Sequence, residues 1–158
     1  MLSKVRFFAL ILAALTLGMR FAHVMEAEPK LHWEAELYFQ VQTSLYKYFA
    51  IIGPIVQVGS ILLIFTIAYL SKGAKSFRYS ILSAFSFVFS LGVWFFFVAP
   101  ASSQIKEWTV THTIPEHWNS IRSAWQFGQV GAFSFDFLAF CLLTAAVIIS
   151  SNESIQKS

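Results

Sequence analysis

VRFFALILAALTLGMRFAHVM, residues 5–25, decides how the rest of the chain is read. Wound as an α-helix, a stretch of this length covers the roughly 30 Å of a bilayer's hydrocarbon core. Taken alone, the run from Phe7 to Met19 behind Lys4 and Arg6 has the form of a secretory signal. The apolar character resumes after Arg20 through Phe21, Ala22, Val24 and Met25. A first transmembrane helix is therefore the expectation, with a cleaved signal as the alternative.

Three more apolar blocks follow, at about 49–70, 79–100 and 127–150. With 57% hydrophobic and 12% charged residues, the 158-residue chain lies far from soluble composition. The expected fold is all-α: a four-helix transmembrane bundle forming one integral membrane domain over residues 1–158, with short amphipathic helices in the outer loops. Lys4, Arg6, Lys72, Lys75, Arg78 and Lys157 fall on one side, and Lys30, Lys47, Lys106 and Arg122 are spread over two longer loops on the other. By the positive-inside rule both termini are cytoplasmic, and a cell (inner) membrane location follows. The basic residues form no cluster of the kind nucleic acid requires. A single cysteine, Cys141, excludes an intrachain disulfide or CxxC pair.

The loops and spans have their own signals. From Leu31 to Tyr48, Glu36, Gln40, Thr43 and Lys47 recur at helical spacing while Leu37, Val41 and Leu45 line another face. Pro29 fits just ahead of that helix. The second span holds Gly53-Pro54, a pair that can kink a helix, and one polar residue, Gln57. Ser80, Ser83, Ser86 and Ser90 give the third span a small-residue stripe for helix packing. From Glu116 to Phe127, Trp118, Ile121, Arg122 and Trp125 share one face of a short helix. Gly128 and Ala132 then open the fourth span at small-xxx-small spacing, and a polar tail runs from Ser151 to Ser158.

Depth along these helices concentrates the unusual polarity. At about 1.5 Å per residue, Arg20 lies roughly 8 Å inside the outer boundary, and Gln57 and Asp136 about 12 to 14 Å inside. His23, Gln129 and Trp94 fall above or beside them. An ionisable residue at such depth costs about 2.5 to 3.5 kcal/mol on insertion scales and faces a partner, water or the bundle interior. Arg20 and Asp136 are either a structural ion pair or part of an outward-opening pocket roofed by the aromatic segments Trp33–Tyr48 and Trp118–Trp125. A closed, satisfied pair without a cavity would favour the first; a cavity of several hundred cubic ångströms reaching His23 would favour the second. His23 and Glu26, at i and i+3, could act in proton abstraction or supply half of a metal site with His112 or His117. No metal is assigned. Arg122, between Trp118 and Trp125, could bind an anionic oxygen or fix its loop.

Several of these residues also resemble a family, the small four-helix membrane proteins grouped with the anthrone oxygenases. The likeness rests on His23-x-x-Glu26 with Pro29-Lys30, on Gln42 and Tyr46, on Trp94-x-x-Phe97-Val98-x-Pro100, and on Trp118-x-x-x-Arg122-x-x-Trp125-x-x-Gly128. Many relatives carry a histidine after the glycine matching Gly128, where this chain has Gln129, so the resemblance carries over no acid/base or ligand role to that position. The resemblance implies cofactor-independent oxygenation of a polycyclic phenol. It makes His23 the base, Glu26 its orienting partner and Arg20 or Arg122 the stabiliser of a phenolate. Gln42, Tyr46, Gln57, Trp94, Trp118, Trp125, Gln129 and Asp136 become candidates to contact the substrate. A hydrophobic or aromatic small molecule is then the expected partner besides the bilayer, and a homo-oligomer is compatible. The competing class is a non-catalytic binding, accessory or assembly subunit.

Overall fold

A computed structural model describes residues 2–155, which form helices and turns with no strand. The helices are α1 (Leu2–Met25), α2 (Ala27–Lys30), α3 (Ala35–Ser44), α4 (Lys47–Leu70), α5 (Ser76–Val93), α6 (Ala99–Thr111) and α7 (Trp118–Ile155), with a π-helical turn (Trp94–Val98) joining α5 to α6. Four helical stretches are long and apolar enough to cross a membrane: Leu2–Met25, Lys47–Leu70, Ser76–Thr111 and Trp118–Glu153. The protein is a multi-pass helical bundle of membrane composition. Arg6 donates to the Ser150 hydroxyl and the Lys75 amide to Glu153, so the start of α1, the last turns of α7 and the α4–α5 turn meet at one end. We call this the terminal end, and the other the cap end. Lys157 and the last residues of the polar tail lie outside the described residues; the tail's first part continues α7.

Each spanning helix buries one stripe. On α1 it is Ala9, Ala13, Thr16, Arg20 and His23. On α7 it is Trp125, Gln129, Ala132, Asp136, Ala139, Leu143 and Ala146, alternating three and four residues apart as in a coiled-coil seam. The opposite faces carry Phe7, Leu15, Ile55, Leu62, Phe89 and Phe137, all exposed, as lipid contact requires. Small side chains replace hydrophobic driving force where helices meet. The serine stripe of α5 lies against α7, with Ser83 donating to Ala139 O at 2.7 Å and Ser86 to Phe135 O at 2.7 Å.

Helices continue where apolar composition stops. The third apolar block ends near Pro100, yet helix persists to Thr111; the short helix expected at Glu116–Phe127 is instead the first turns of α7. Pro100 follows the π turn at the start of α6, where the Ala99 amide bonds back to Trp94 O, so the proline is absorbed without a break. At about 1.5 Å per residue, the 38 residues of α7 reach about 57 Å, well beyond the hydrocarbon core. The surplus length builds the cap. There Tyr38, Phe39, Val98, Ala101, Ile105, Trp108 and Trp125 form a second core, flanked by Trp33, Trp94 and Trp118. The membrane core is separate: Ala9, Ala13, Ile61, Ile64, Ile67, Ala84, Phe87, Ala139 and Leu143. On α3 the buried positions are Ala35, Tyr38 and Phe39, whereas Leu37 and Leu45 face outward.

Gly128 sits where α7 meets the π turn. A methyl there would lie 2.9 Å from Val98 Cγ2 and 3.2 Å from Phe97 Cβ, whereas one at Gly18 meets nothing within 4 Å. Thermal unfolding in mild detergent should show Gly128→Ala destabilised by about 1 to 3 kcal/mol through overpacking. Gly18→Ala should unfold at or above the wild-type temperature.

Candidate functional site

Between the two cores lies a polar layer to which all four spanning helices contribute. Arg20 on α1 donates from Nε to Asp136 Oδ2 at 3.2 Å, from Nη1 to Gln129 Oε1 at 2.7 Å and from Nη2 to Gln57 Oε1 at 3.1 Å. The Gln57 amide on α4 reaches Ser90 Oγ at 3.1 Å and Asp136 Oδ1 at 3.3 Å. Arg20 is 8% exposed, Gln57 1% and Asp136 0%, so the charges meet protein rather than water. Removing one partner of such a pair strands the other, whereas replacing both by apolar groups is far better tolerated.

Above this layer, toward the cap, opens a cavity of about 680 Å³. α1 contributes Thr16, Met19, Arg20 and His23, and the α3–α4 region contributes Gln42, Tyr46, Phe49, Pro54 and Gln57. The π turn and α6 add Trp94, Val98, Ser102 and Lys106, and α7 adds Trp125 and Gln129. The sequence posed a satisfied ion pair and a cavity reaching His23 as alternatives; the fold contains both, one stacked on the other. Eight of the candidate residues line it: Arg20, His23, Gln42, Tyr46, Gln57, Trp94, Trp125 and Gln129. Glu26, Trp118, Arg122 and Asp136 do not.

His23 is 5% exposed and walled by rings: Tyr46, Phe49 and Trp125 have centroids 4.8, 5.4 and 5.2 Å away. Its Nδ1 is buried without a hydrogen-bond partner among the described residues and lies 3.9 Å from Glu26 Oε2, too far for a hydrogen bond. Glu26 is engaged elsewhere. Its Oε2 accepts from Lys30 Nζ at 2.6 Å and from the Tyr46 hydroxyl. Burial works to raise the Glu26 pKa, but the hydrogen bonds from Lys30 and Tyr46 and the lysine's charge outweigh it and hold the carboxyl below its ordinary range. Lys30, 1% exposed, is itself lowered by burial against the pull of Glu26, and its ammonium lies 4.0 Å from the Tyr46 ring centre. Burial raises the Tyr46 phenol, and the Glu26 carboxylate adds to that.

Arg122 lies on the cap side of the cavity. It donates to Trp33 O at 2.6 Å and Lys30 O at 3.3 Å and stacks 4.4 Å from the Trp118 ring, which ties the α2 turn to α7. Of its two sequence readings, this geometry matches loop fixing. His117 packs edge-on against Trp108 and His112 lines a separate cleft. No group of three metal-ligating side chains occurs among the described residues.

Two residues of this region were given no role at the site by the sequence reading. Lys30 had a signal, its i, i+4 spacing from Glu26. Gln126 had none: it is 1% exposed beside Tyr38, and neither of its amide atoms has a hydrogen-bond partner of normal geometry among the described residues. No family model, curated protein or solved structure matches the chain, so the site is read from its own geometry.

Asp136→Asn should cost about 3 to 5 kcal/mol of stability by leaving Arg20 uncompensated, and the double variant Arg20→Met/Asp136→Leu should recover most of it, measured by chemical unfolding in mixed micelles. Because the folded-state pKa of Glu26 is lowered, its stabilisation is fully present above about pH 4.3 and is lost as the pH falls through its own lower value. Melting temperatures followed from about pH 6 to pH 3 should therefore fall more steeply for wild type than for Glu26→Gln.

Proposed function

We propose that this is a multi-pass protein of the cell (inner) membrane, with both termini cytoplasmic, whose outward-facing cavity binds a hydrophobic aromatic molecule and deprotonates it at His23. The orientation follows from the basic residues of the terminal end, Lys4, Arg6, Lys72, Lys75 and Arg78. The observation that carries the site is His23, a buried imidazole with an unpaired nitrogen, set among three aromatic rings in the wall of a cavity large enough for a small molecule. Gln42 supports it, because its amide nitrogen is buried in the lining of the same cavity with no acceptor among the described residues.

The reaction class is the one the family resemblance implies, cofactor-independent oxygenation of an anthrone-like phenol. His23 takes a proton from the substrate carbon, and the carbanion gives its electrons to dioxygen. The peroxide anion takes that proton back from His23, and the resulting hydroperoxide loses water to leave a carbonyl, with one oxygen atom in product and one in water. Glu26, held in place by Lys30 and Tyr46, lies 3.9 Å from His23 Nδ1 on the same helical face and is the orienting partner the resemblance implies. Arg20, on the cavity floor, is the candidate the resemblance gives for stabilising a phenolate oxygen, although its hydrogen bonds to Asp136, Gln57 and Gln129 already occupy much of it. That occupancy favours the second reading, a binding or accessory subunit without turnover.

Anthrone binding to the detergent-purified protein, read by tryptophan quenching, and dioxygen uptake in the same sample separate the two. His23→Ala should lower turnover by about 10²-fold or more while leaving binding. Unchanged turnover would remove His23 as the base, and binding without dioxygen uptake in wild type would establish the binding subunit instead.

A further inference from the structure

Lys47, at the start of α4, and Lys106, on α6, both stand on the rim of the cavity. Both are exposed, and neither has a carboxylate within ion-pair distance among the described residues, whereas Lys30 nearby is closed by Glu26. Their rim is open at the side as well as at the cap. Ala50 and Ile51 on α4 and Ser103 on α6 line the cavity and are exposed. α4 packs on α1 and α5, and α6 packs on α3 and α7, but α4 and α6 are not closely packed on one another. The cleft between them therefore gives onto the lipid-facing surface.

We propose that the cleft between α4 and α6 admits, from the bilayer, an amphiphile with an anionic head, which rests on Lys47 and Lys106 while the apolar body fills the cavity. The proposal rests on reading the cavity as a small-molecule site. Its physical basis is the match between two ammonium groups near the span's end, without a carboxylate partner among the described residues, and the apolar and aromatic walls below them at Phe49, Trp94, Val98 and Trp125. An acid dissolved in the membrane presents its charge and its body in that same order. The head can belong to a free fatty or aromatic acid or to an anionic phospholipid, since the lysines recognise charge rather than a particular group.

The protein in nanodiscs of neutral lipid can be titrated with an anthroyloxy-labelled fatty acid and with its methyl ester, reading energy transfer from tryptophan. The acid should bind more tightly than the ester, and Lys47→Gln/Lys106→Gln should weaken the acid by about tenfold while leaving the ester unchanged. An acid that binds no tighter than the ester, or is insensitive to the double substitution, overturns the proposal and leaves the small-molecule site standing. If neither probe binds, the site itself falls with it. Displacement by phosphatidylglycerol or by unlabelled fatty acid supports the proposal and tells the two sources apart; displacement by neither overturns it. Ala50→Trp, which narrows the cleft, should slow uptake from vesicles, and an unchanged rate overturns the lateral route.

Discussion

A guanidinium buried at bilayer depth must find its acceptors in the protein, and the requirement to satisfy Arg20 governs the arrangement of every spanning helix. Its three acceptors come from α4 and α7, and Gln57 passes the network on to Ser90 of α5. Each helix must therefore present one particular face at one particular depth. Rotating α7 by a single residue would carry Asp136 out toward lipid, where an isolated charge costs several kcal/mol. Apolar packing alone, dominated here by alanine, serine and isoleucine, would be less discriminating about rotation. The polar layer thus supplies specificity, and the cores on either side supply contact area.

Much of this was legible in the residues. The four apolar blocks, the depth of Arg20, Gln57 and Asp136 and the small-residue stripe of α5 are local properties, so counting along a helix finds them. Helix ends were less legible, because hydropathy reports the membrane boundary and not the limit of backbone hydrogen bonding. The third apolar block therefore looked complete at Pro100, although the helix continues past the π turn. Partner choice was harder again. His23 and Glu26 share a face by spacing, yet Lys30 and Tyr46 engage the carboxylate; Lys30 reaches it by local i, i+4 spacing, but only the fold brings Tyr46 to it.

Layering also explains why the cavity lies where it does. α3, α6 and the start of α7 form an aromatic cap over a bundle of small residues, and the two cores do not interlock. Between them the helix surfaces carry Arg20, Gln57 and Gln129 on the floor and Tyr46, Trp94 and Trp125 on the walls. Arg122, bound to carbonyls of the α2 turn and stacked on Trp118, keeps the cap in register above the floor.

The π turn at Trp94–Val98 amounts to one residue more than an uninterrupted α-helix would use. That surplus shifts the angular phase of everything beyond it by about 100°. The helix is thus two helices of different phase on one axis: the α5 half is timed to set serines against α7, and the α6 half to turn Val98, Ala101, Ile105 and Trp108 into the cap. Without the offset, one phase would have to serve both partners, and either the membrane core or the cap would face the wrong way.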